Sequence, residues 1–239
     1  METSPSHPLD RAIWESLGSH HARFAEATPL ARRYRPEFGP LAAVAAPTVA
    51  AFAMLCGLIP PGGAVALFRP EPLPSIPAGY ALAHTDLLLQ MTGDELDPAP
   101  DAVAGAVVLG PADAPEMAGL AVLTEPGPFA PRTGELGRYL GIRAGGRLVA
   151  LAGERLRLDG FTEISAVCTH PDHRGRGHAA GLVVSLGRSI LARGDVPFLH
   201  VREGNHAAIG LYRRLGFSVR RRLHLAVLAA APVGDPPPA

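Results

Sequence analysis

The stretch THPDHRGRGHAAG, residues 169–181, decides how this chain folds. It carries three glycines, two arginines and three histidines, and it follows the run FTEISAVCT. The segment after it has apolar residues at helical spacing, so the pattern predicts a strand, a glycine-rich loop and a helix. Such a junction binds anions, because the first N–H groups of a helix lack acceptors and the helix dipole is positive there.

The residues of this loop favour a diphosphate as the anion. Gly175 and Gly177 let the backbone approach a ligand without a Cβ in the way, and Arg174 and Arg176 add positive charge. The loop is not a P-loop, because it has no lysine, and it lies too late in the chain, behind an antiparallel strand pair, for a dinucleotide-binding loop. A solvated turn, with glycines for geometry alone, is the alternative.

The rest of the chain predicts an α/β fold with a mixed sheet. Strands are expected at 64–68, 106–110 and 161–169 and over YALAHTDLLLQM, VPFLHVR and FSVRRRLHLAVL, with a hairpin over 137–158 that turns at 144–146. Helices are expected at 48–58, at 112–124, from the loop to about residue 192, and over NHAAIGLYRRLG, which Gly216 closes. Segment 94–105 is predicted to be a linker, and the tail APVGDPPPA to be frayed.

Composition narrows the class of protein. The 239 residues carry 22 basic and 22 acidic side chains, which gives no bias toward nucleic acid or an anionic membrane. Two cysteines far apart and a polar start predict a reduced, cytoplasmic setting. Residues 41–68 lack charge, but prolines and glycines interrupt them, so we expect no transmembrane helix.

Two motifs resemble the GNAT N-acetyltransferase superfamily. VCTHPDHRGRGHA is similar to its motif A, Arg/Gln-x-x-Gly-x-Gly/Ala, which Arg174, Gly177 and Ala179 match. REGNHAAIGLYRRLGF, residues 202–217, is similar to its second motif, an Asn followed by a helix and Tyr-x-x-x-Gly-Phe. The close match covers 161–217, and a looser one covers 103–228.

The resemblance implies a GNAT-type acyltransferase fold at 103–228, with an additional N-terminal α/β region at 1–100 and a flexible tail at 229–239. The N-terminal region matches no motif that we can assign, and a degenerate half of the same fold is one interpretation of it. We expect it to pack against the rest and help shape the acceptor site.

The resemblance also implies acetyl-CoA as co-substrate. The strand at 166–169 would pair with the pantetheine arm, the loop would bind the diphosphate, and the next strand would splay away to admit the thioester. The residues assigned to the cofactor in this way are Ala166, Val167, Cys168, Thr169, Arg174, Gly175, Arg176, Gly177, His178, Ala179, Ala180 and Asn205.

Two side chains are candidates for proton transfer by the same resemblance. Tyr212 would donate a proton to the leaving thiolate, and a core tyrosine is the alternative. Glu163 would be the general base, with a solvated or salt-bridged glutamate as the alternative. Strand alternation predicts that Glu163 shares a face with Val167 and lies opposite Ala166. The backbone N–H of Val167 or Cys168 would stabilise the oxyanion.

Other residues suggest less chemistry. Cys168 is expected to be a packing residue rather than a nucleophile. The spacing of His170, His173 and His178 fits no familiar zinc site, so no metal is predicted. In the basic run at 220–222, Arg220 and Arg222 are expected to share one solvated face, without a nucleic-acid role.

These observations favour an acetyl-CoA-dependent N-acetyltransferase that acts on a primary amine by direct attack in a ternary complex. The alternatives are a non-catalytic acyl-CoA-binding or sensor module of the same fold, and a structural α/β domain whose loop is only a turn. The sequence leaves open whether the acceptor is a small molecule or a protein amine. It predicts no nucleic-acid or membrane partner, and a homodimer is compatible with it.

Overall fold

A computed structural model describes residues 7–73, 75–96 and 105–230. The predicted tail lies almost wholly outside these ranges, as do residues 97–104 of the predicted linker. In chain order the helices and strands are α1 (Ala12–Gly18), β1 (Ala25–Ala27), β2 (Ala31–Tyr34), β3 (Ala42–Val44), α2 (Val49–Cys56), β4 (Ala64–Arg69), β5 (Tyr80–Thr92), β6 (Ala106–Leu109), α3 (Ala114–Thr124), β7 (Tyr139–Ala144), β8 (Arg147–Leu158), β9 (Phe161–Thr169), α4 (His178–Leu191), β10 (Val196–Arg202), α5 (His206–Arg214) and β11 (Ser218–Ala230).

Eight of the strands form one mixed sheet in the order β4-β11-β5-β10-β9-β8-β7-β6. Among the strand pairs of the described residues, β9 and β10 are the parallel pair, and the α4 crossover joins them. The three short strands β1, β2 and β3 form a separate antiparallel sheet. This confirms the predicted α/β fold class with a mixed sheet.

Local signals set the bounds of the predicted elements. The Thr48 side chain accepts a hydrogen bond from the Ala51 N–H and begins α2, as N-cap threonines do. Gly216 follows α5 with φ +91°, a conformation that glycine adopts without steric cost. The hairpin turn at 144–146 and the strand at 161–169 also lie where the sequence predicts them.

The N-terminal part of the chain supplies two strands of the main sheet. The sequence predicts both strands but did not indicate that they join this sheet. β5 lies between β10 and β11, and it pairs antiparallel with both. β4 pairs with the outer edge of β11. Residues on either side of position 100 therefore share one sheet, and the division of the chain into units at 1–100 and 103–228 stays a prediction.

Helices cover both faces of the sheet. On one face, α4 and α5 bury an apolar cluster that includes Leu182, Ile209 and Leu199 of β10. On the other face, α1 buries Ile13 and Leu17 against Leu156 and Phe198. Further along the same face, α3 packs against the strand ends of β8 and β9. The loop at 170–177 is left exposed at the end of β9.

Candidate active site

The site begins where β9 and β10 separate. The two strands pair only from Val196↔Phe161 to Phe198↔Glu163. Beyond that point β10 keeps its pairing with β5 on one side, and β9 keeps its pairing with β8 on the other. The facing backbone edges of 164–169 and 199–202 therefore enclose a gap that widens from a vertex at Glu163.

A bulge shapes the β9 wall of this gap. The register steps from Gly153↔Ser165 to Leu151↔Cys168, so Ala166 and Val167 together oppose one residue of β8. Ala166 has φ +54°, a left-handed conformation that is strained for a residue with a Cβ. Such bulges leave backbone groups unpaired and turn the strand.

The bulge also overturns the predicted alternation along β9. Ile164 and Val167 pack with the α4 cluster, whereas Ala166 and Cys168 pack with the α3 cluster. The prediction that Glu163 shares a face with Val167 is therefore wrong, because the extra residue reverses the alternation.

The loop and the start of α4 form an open cradle next to the gap. Gly175 and Gly177 have φ of +73° and +77°, and a Cβ at either position would meet no atom within 4 Å. Gly177 is the N-cap of α4 and has no side chain to satisfy the first turn. The N–H groups of His178, Ala179 and Ala180 thus lack intrahelical acceptors.

The cradle is electropositive. The first turn of α4 contains no acidic residue, so nothing there opposes the helix dipole. The guanidinium of Arg174 donates to the Thr169 carbonyl at 3.4 Å, and that of Arg176 donates to the Asp172 carbonyl at 3.2 Å. Slight desolvation and the positive Arg176 lower the pKa of His173. These features fit a diphosphate.

Asn205 lies at the other side of the gap, just after β10. Its Oδ1 accepts a hydrogen bond from the Ala208 N–H at 3.1 Å and so caps α5. The side chain is exposed, and its amide NH₂ has no hydrogen-bond partner among the described residues. A helix cap and a donor to a pantetheine carbonyl are compatible roles for the two ends of one amide.

Tyr212 lies in the apolar cluster beneath the gap, with Ile164 and Val201. Burial raises the pKa of Tyr212 to about 12, so the phenol is protonated at neutral pH. Its hydroxyl makes no hydrogen bond to any residue in the described ranges. The role of Tyr212 as an acid stays a prediction.

Glu163 does not have the surroundings of a general base. Its carboxylate is fully buried and accepts two hydrogen bonds from Arg155, at 2.7 and 2.9 Å, and one from His200 at 2.7 Å. Burial opposes ionisation, but the charge and hydrogen bonds of Arg155 outweigh it and lower the pKa of Glu163 to about 2. Such a carboxylate takes a proton poorly, so its surroundings favour the predicted alternative, a salt-bridged glutamate, over a general base.

Sequence reasoning missed the partners of Glu163. Arg155 is buried in β8, and the His200 ring lies between Phe68 and Phe198, with centroid separations of 5.0 and 5.6 Å. The signal in the sequence was an ionisable residue at an inward-facing position of each strand, Arg155 in ERL and His200 in FLHV. The sequence cannot show that these two side chains meet at Glu163. Arg220, expected on a solvated face with Arg222, instead bonds Gln90 and Asp10.

The remaining candidates have minor chemistry. Cys168 is mostly buried, and burial raises the pKa of its thiol, which fits a packing role. Within the described ranges, no group of three or more metal-binding side chains comes together. Nor does any helix there have the length and apolar character to cross a membrane.

A cavity lies beside the first half of β5. It measures about 610 Å³ and is lined by the overhanging ends of β5 and β11 and by the loop around Gly204 and His206. No residue of β9 or of the loop at 170–177 lines it. It does not include the cradle, but Gly204 and His206 place one wall of it next to Asn205.

A splayed parallel strand pair with an anion cradle on the crossover helix defines the class of acyl-CoA-binding acyltransferases. Comparison with known proteins agrees. The FR47-like protein family matches residues 139–225. A GNAT-family acetyltransferase from Novosphingobium aromaticivorans DSM 12444, known from a crystal structure, has 40% sequence identity to this chain. The alignment covers 95% of this chain and 100% of that protein, and the two structures superpose with a TM-score of 0.88.

The chain belongs to the GNAT family of acetyltransferases. A GCN5-related N-acetyltransferase from Kribbella flavida shares the fold, with a TM-score of 0.59 at 18% identity over 94% of this chain and 96% of its own. N-alpha-acetyltransferase RimI of Mycobacterium tuberculosis is 41% identical over 92 residues, which is 36% of this chain and 57% of RimI. The chain thus matches little more than half the length of this curated relative.

Proposed function

We propose that this protein transfers an acetyl group from acetyl-CoA to a primary amine, by direct attack in a ternary complex. The observation that carries the proposal is the gap between β9 and β10, which opens beside an uncapped helix N-terminus. The gap offers unpaired backbone edges to the extended, amide-containing arm of acetyl-CoA. The N-terminus of α4 offers N–H groups to the diphosphate. A mere turn needs neither.

The chain's own groups would act at three points. The N–H groups of 175–180 and the guanidiniums of Arg174 and Arg176 would hold the diphosphate. The backbone of 166–169 and the Asn205 amide would hold the pantetheine arm. The Val167 N–H is the better candidate for the oxyanion, because the bulge removes Val167 from the β8 register.

Tyr212 would protonate the departing thiolate. The acceptor amine must first lose a proton, at a cost of about 4 kcal/mol at neutral pH for an alkylammonium. We assign no residue to that step, since the Glu163 carboxylate already accepts hydrogen bonds from Arg155 and His200. This leaves the non-catalytic acyl-CoA-binding module as the second candidate function.

The test is calorimetric titration of acetyl-CoA into the wild-type protein and into Gly177→Glu. Wild-type binding is expected to be micromolar, about −8 kcal/mol, and the variant is expected to lose at least a hundredfold, because a carboxylate would face the diphosphate. Gly160→Glu is the matched control. Gly160 also has positive φ, +76°, and open space around it, but it lies at the opposite end of β9.

Equal binding by both variants would contradict the cradle, and no binding by folded wild-type protein would contradict the proposal as a whole. Binding without thiol release in the presence of a panel of amines would favour the sensor module.

Tyr212→Phe tests the proton donor. We expect kcat to fall about a hundredfold while the Kd of acetyl-CoA stays within about twofold, because the phenol acts only as charge develops on sulfur. The measurement is steady-state thiol release together with calorimetry. An unchanged kcat would make Tyr212 a core residue only.

A further inference from the structure

A row of polar side chains crosses the sheet beneath the vertex of the gap. Five adjacent strands each contribute one residue, and we call these the polar row: Arg155 of β8, Glu163 of β9, His200 of β10, Gln90 of β5 and Arg220 of β11. Adjacent members are joined by hydrogen bonds of 2.6 to 3.0 Å. The row is thus continuous across more than half of the sheet.

The hydrogen bonds of the row fit one arrangement of protons. Arg220 donates to Gln90 Oε1, so the Gln90 amide nitrogen faces His200 and donates to its Nε2. His200 Nε2 is then an acceptor, and its Nδ1–H donates to Glu163. Because both ring nitrogens are occupied and the ring is buried, His200 is a positioning residue and not a free base.

Strand irregularities aim the two arginines into the row. Arg155 lies in a register shift between Glu154 and Arg157, opposite Glu163. Arg220 is the extra residue of a second shift, between the pairs Val219↔Met91 and Arg221↔Gln90. An extra residue in a strand redirects its side chain, so both ends of the row depend on a bulge.

The N-terminal segment closes the row at its far end. Asp10 accepts a hydrogen bond from Arg220 at 2.6 Å and also pairs with Arg221 at 3.0 Å. The Leu9 carbonyl accepts the remaining hydrogen of the Gln90 amide at 2.9 Å. Residues 9 and 10 precede α1, so the row ties the start of the chain to the sheet.

The position of the row relates it to the site. Glu163 is the last residue of β9 that pairs with β10, and its bond to His200 spans the two strands at the point where they part. Replacing a buried ion pair by apolar residues of similar volume is often neutral for stability, so such a row is weak evidence for a stabilising role alone. Hydrogen bonds between particular atoms, unlike apolar packing, fix the distance and the register between neighbouring strands.

We propose that the polar row, anchored at Asp10, is a positioning device that fixes where β9 and β10 separate, and thereby sets the geometry of the acyl-CoA gap. The identity of the ligand in this proposal rests on the proposed function. The part that concerns the strands stands independently of it. It gives the N-terminal segment a role in cofactor binding at a distance.

The test uses Asp10→Asn in the full chain, which removes the anchoring charge without touching Glu163 or the gap. Glu15→Gln is the matched control, because Glu15 lies on α1 outside the row, and among the described residues its carboxylate pairs only with Arg11, at 4.0 Å. Two readouts are needed: the Kd of acetyl-CoA, and amide hydrogen exchange of 164–169 and 199–202 without ligand.

We expect Asp10→Asn to weaken acetyl-CoA binding about three- to tenfold and to speed exchange on both sides of the gap, with Glu15→Gln unchanged, since coupling through packed networks is of this size. Glu163→Gln, which keeps the shape of the side chain, should show the same changes more strongly. Identical exchange in Asp10→Asn and Glu15→Gln would overturn the positioning role, whether or not the wild type binds acetyl-CoA. A wild type that fails to bind would instead count against the proposed function.

Discussion

The two ends of β9 differ in almost every physical respect, although they belong to one nine-residue strand. At the first end, through Glu163, both edges of the strand are paired and its charge is buried and fully bonded. At the second end, Ala166 is strained, the β10-facing edge is unpaired, and an exposed loop follows.

This contrast indicates that the two ends of β9 have different roles. By our proposal the packed end holds β9 and β10 in position, and the open end has unpaired backbone groups that a ligand can use. Strain and unpaired groups persist in a fold only where the surroundings hold them in place. The following predictions test whether the packed end has that role.

The largest effect is expected from Glu163→Ala. It leaves the buried Arg155 without its partner, and breaking such a pair costs about 3 to 5 kcal/mol of unfolding free energy. Thr169→Val is the control at the open end. The Thr169 hydroxyl is buried without a partner in the described ranges, so its loss should change stability by less than about 1 kcal/mol. Chemical denaturation measures both, and a similar loss in the two variants would remove the contrast.

A second effect is a dependence of stability on pH. Because the pKa of Glu163 is lowered from 4.5 to about 2 on folding, its ionised form stabilises the fold. That contribution is fully present above about pH 4.5 and is lost as the pH falls toward 2. The free energy of unfolding of Glu163→Gln, measured over this range, should fall less steeply than that of the wild type. Parallel curves, with Glu15→Gln as a surface control, would mean that Glu163 is not held as described.

The smallest effect concerns the strain at Ala166. Ala166→Gly removes the Cβ from a left-handed residue and should raise the unfolding free energy by about 0.5 to 1 kcal/mol. Ala150→Gly, in the ordinary and fully buried part of β8, should lower it by a similar amount. Thermal unfolding distinguishes the two signs. Destabilisation in both variants would show that Ala166 carries no strain.

From α2 onward, the sequence by itself determined the order of helices and strands, the loop at 170–177, the start of α2 and the end of α5. These features depend on neighbours in the chain: a threonine cap, a glycine with positive φ, or apolar residues at a fixed spacing. For the same reason the residues of the open loop and first helical turn, from Arg174 to Ala180, could be named from the motif alone, and their binding of a diphosphate stays a prediction.

Only the tertiary structure decided the place of β5 between β10 and β11, the bulge at Ala166 and the hydrogen-bond partners of Glu163. Arg220 bonds Asp10 across 210 positions of the chain, and Gln90 bonds His200 across 110. Strand alternation predicts which side a residue faces only until a bulge adds a residue, and it never identifies the neighbouring strand. A glutamate inside a strand is therefore a base or a buried anchor according to partners that lie far away in sequence.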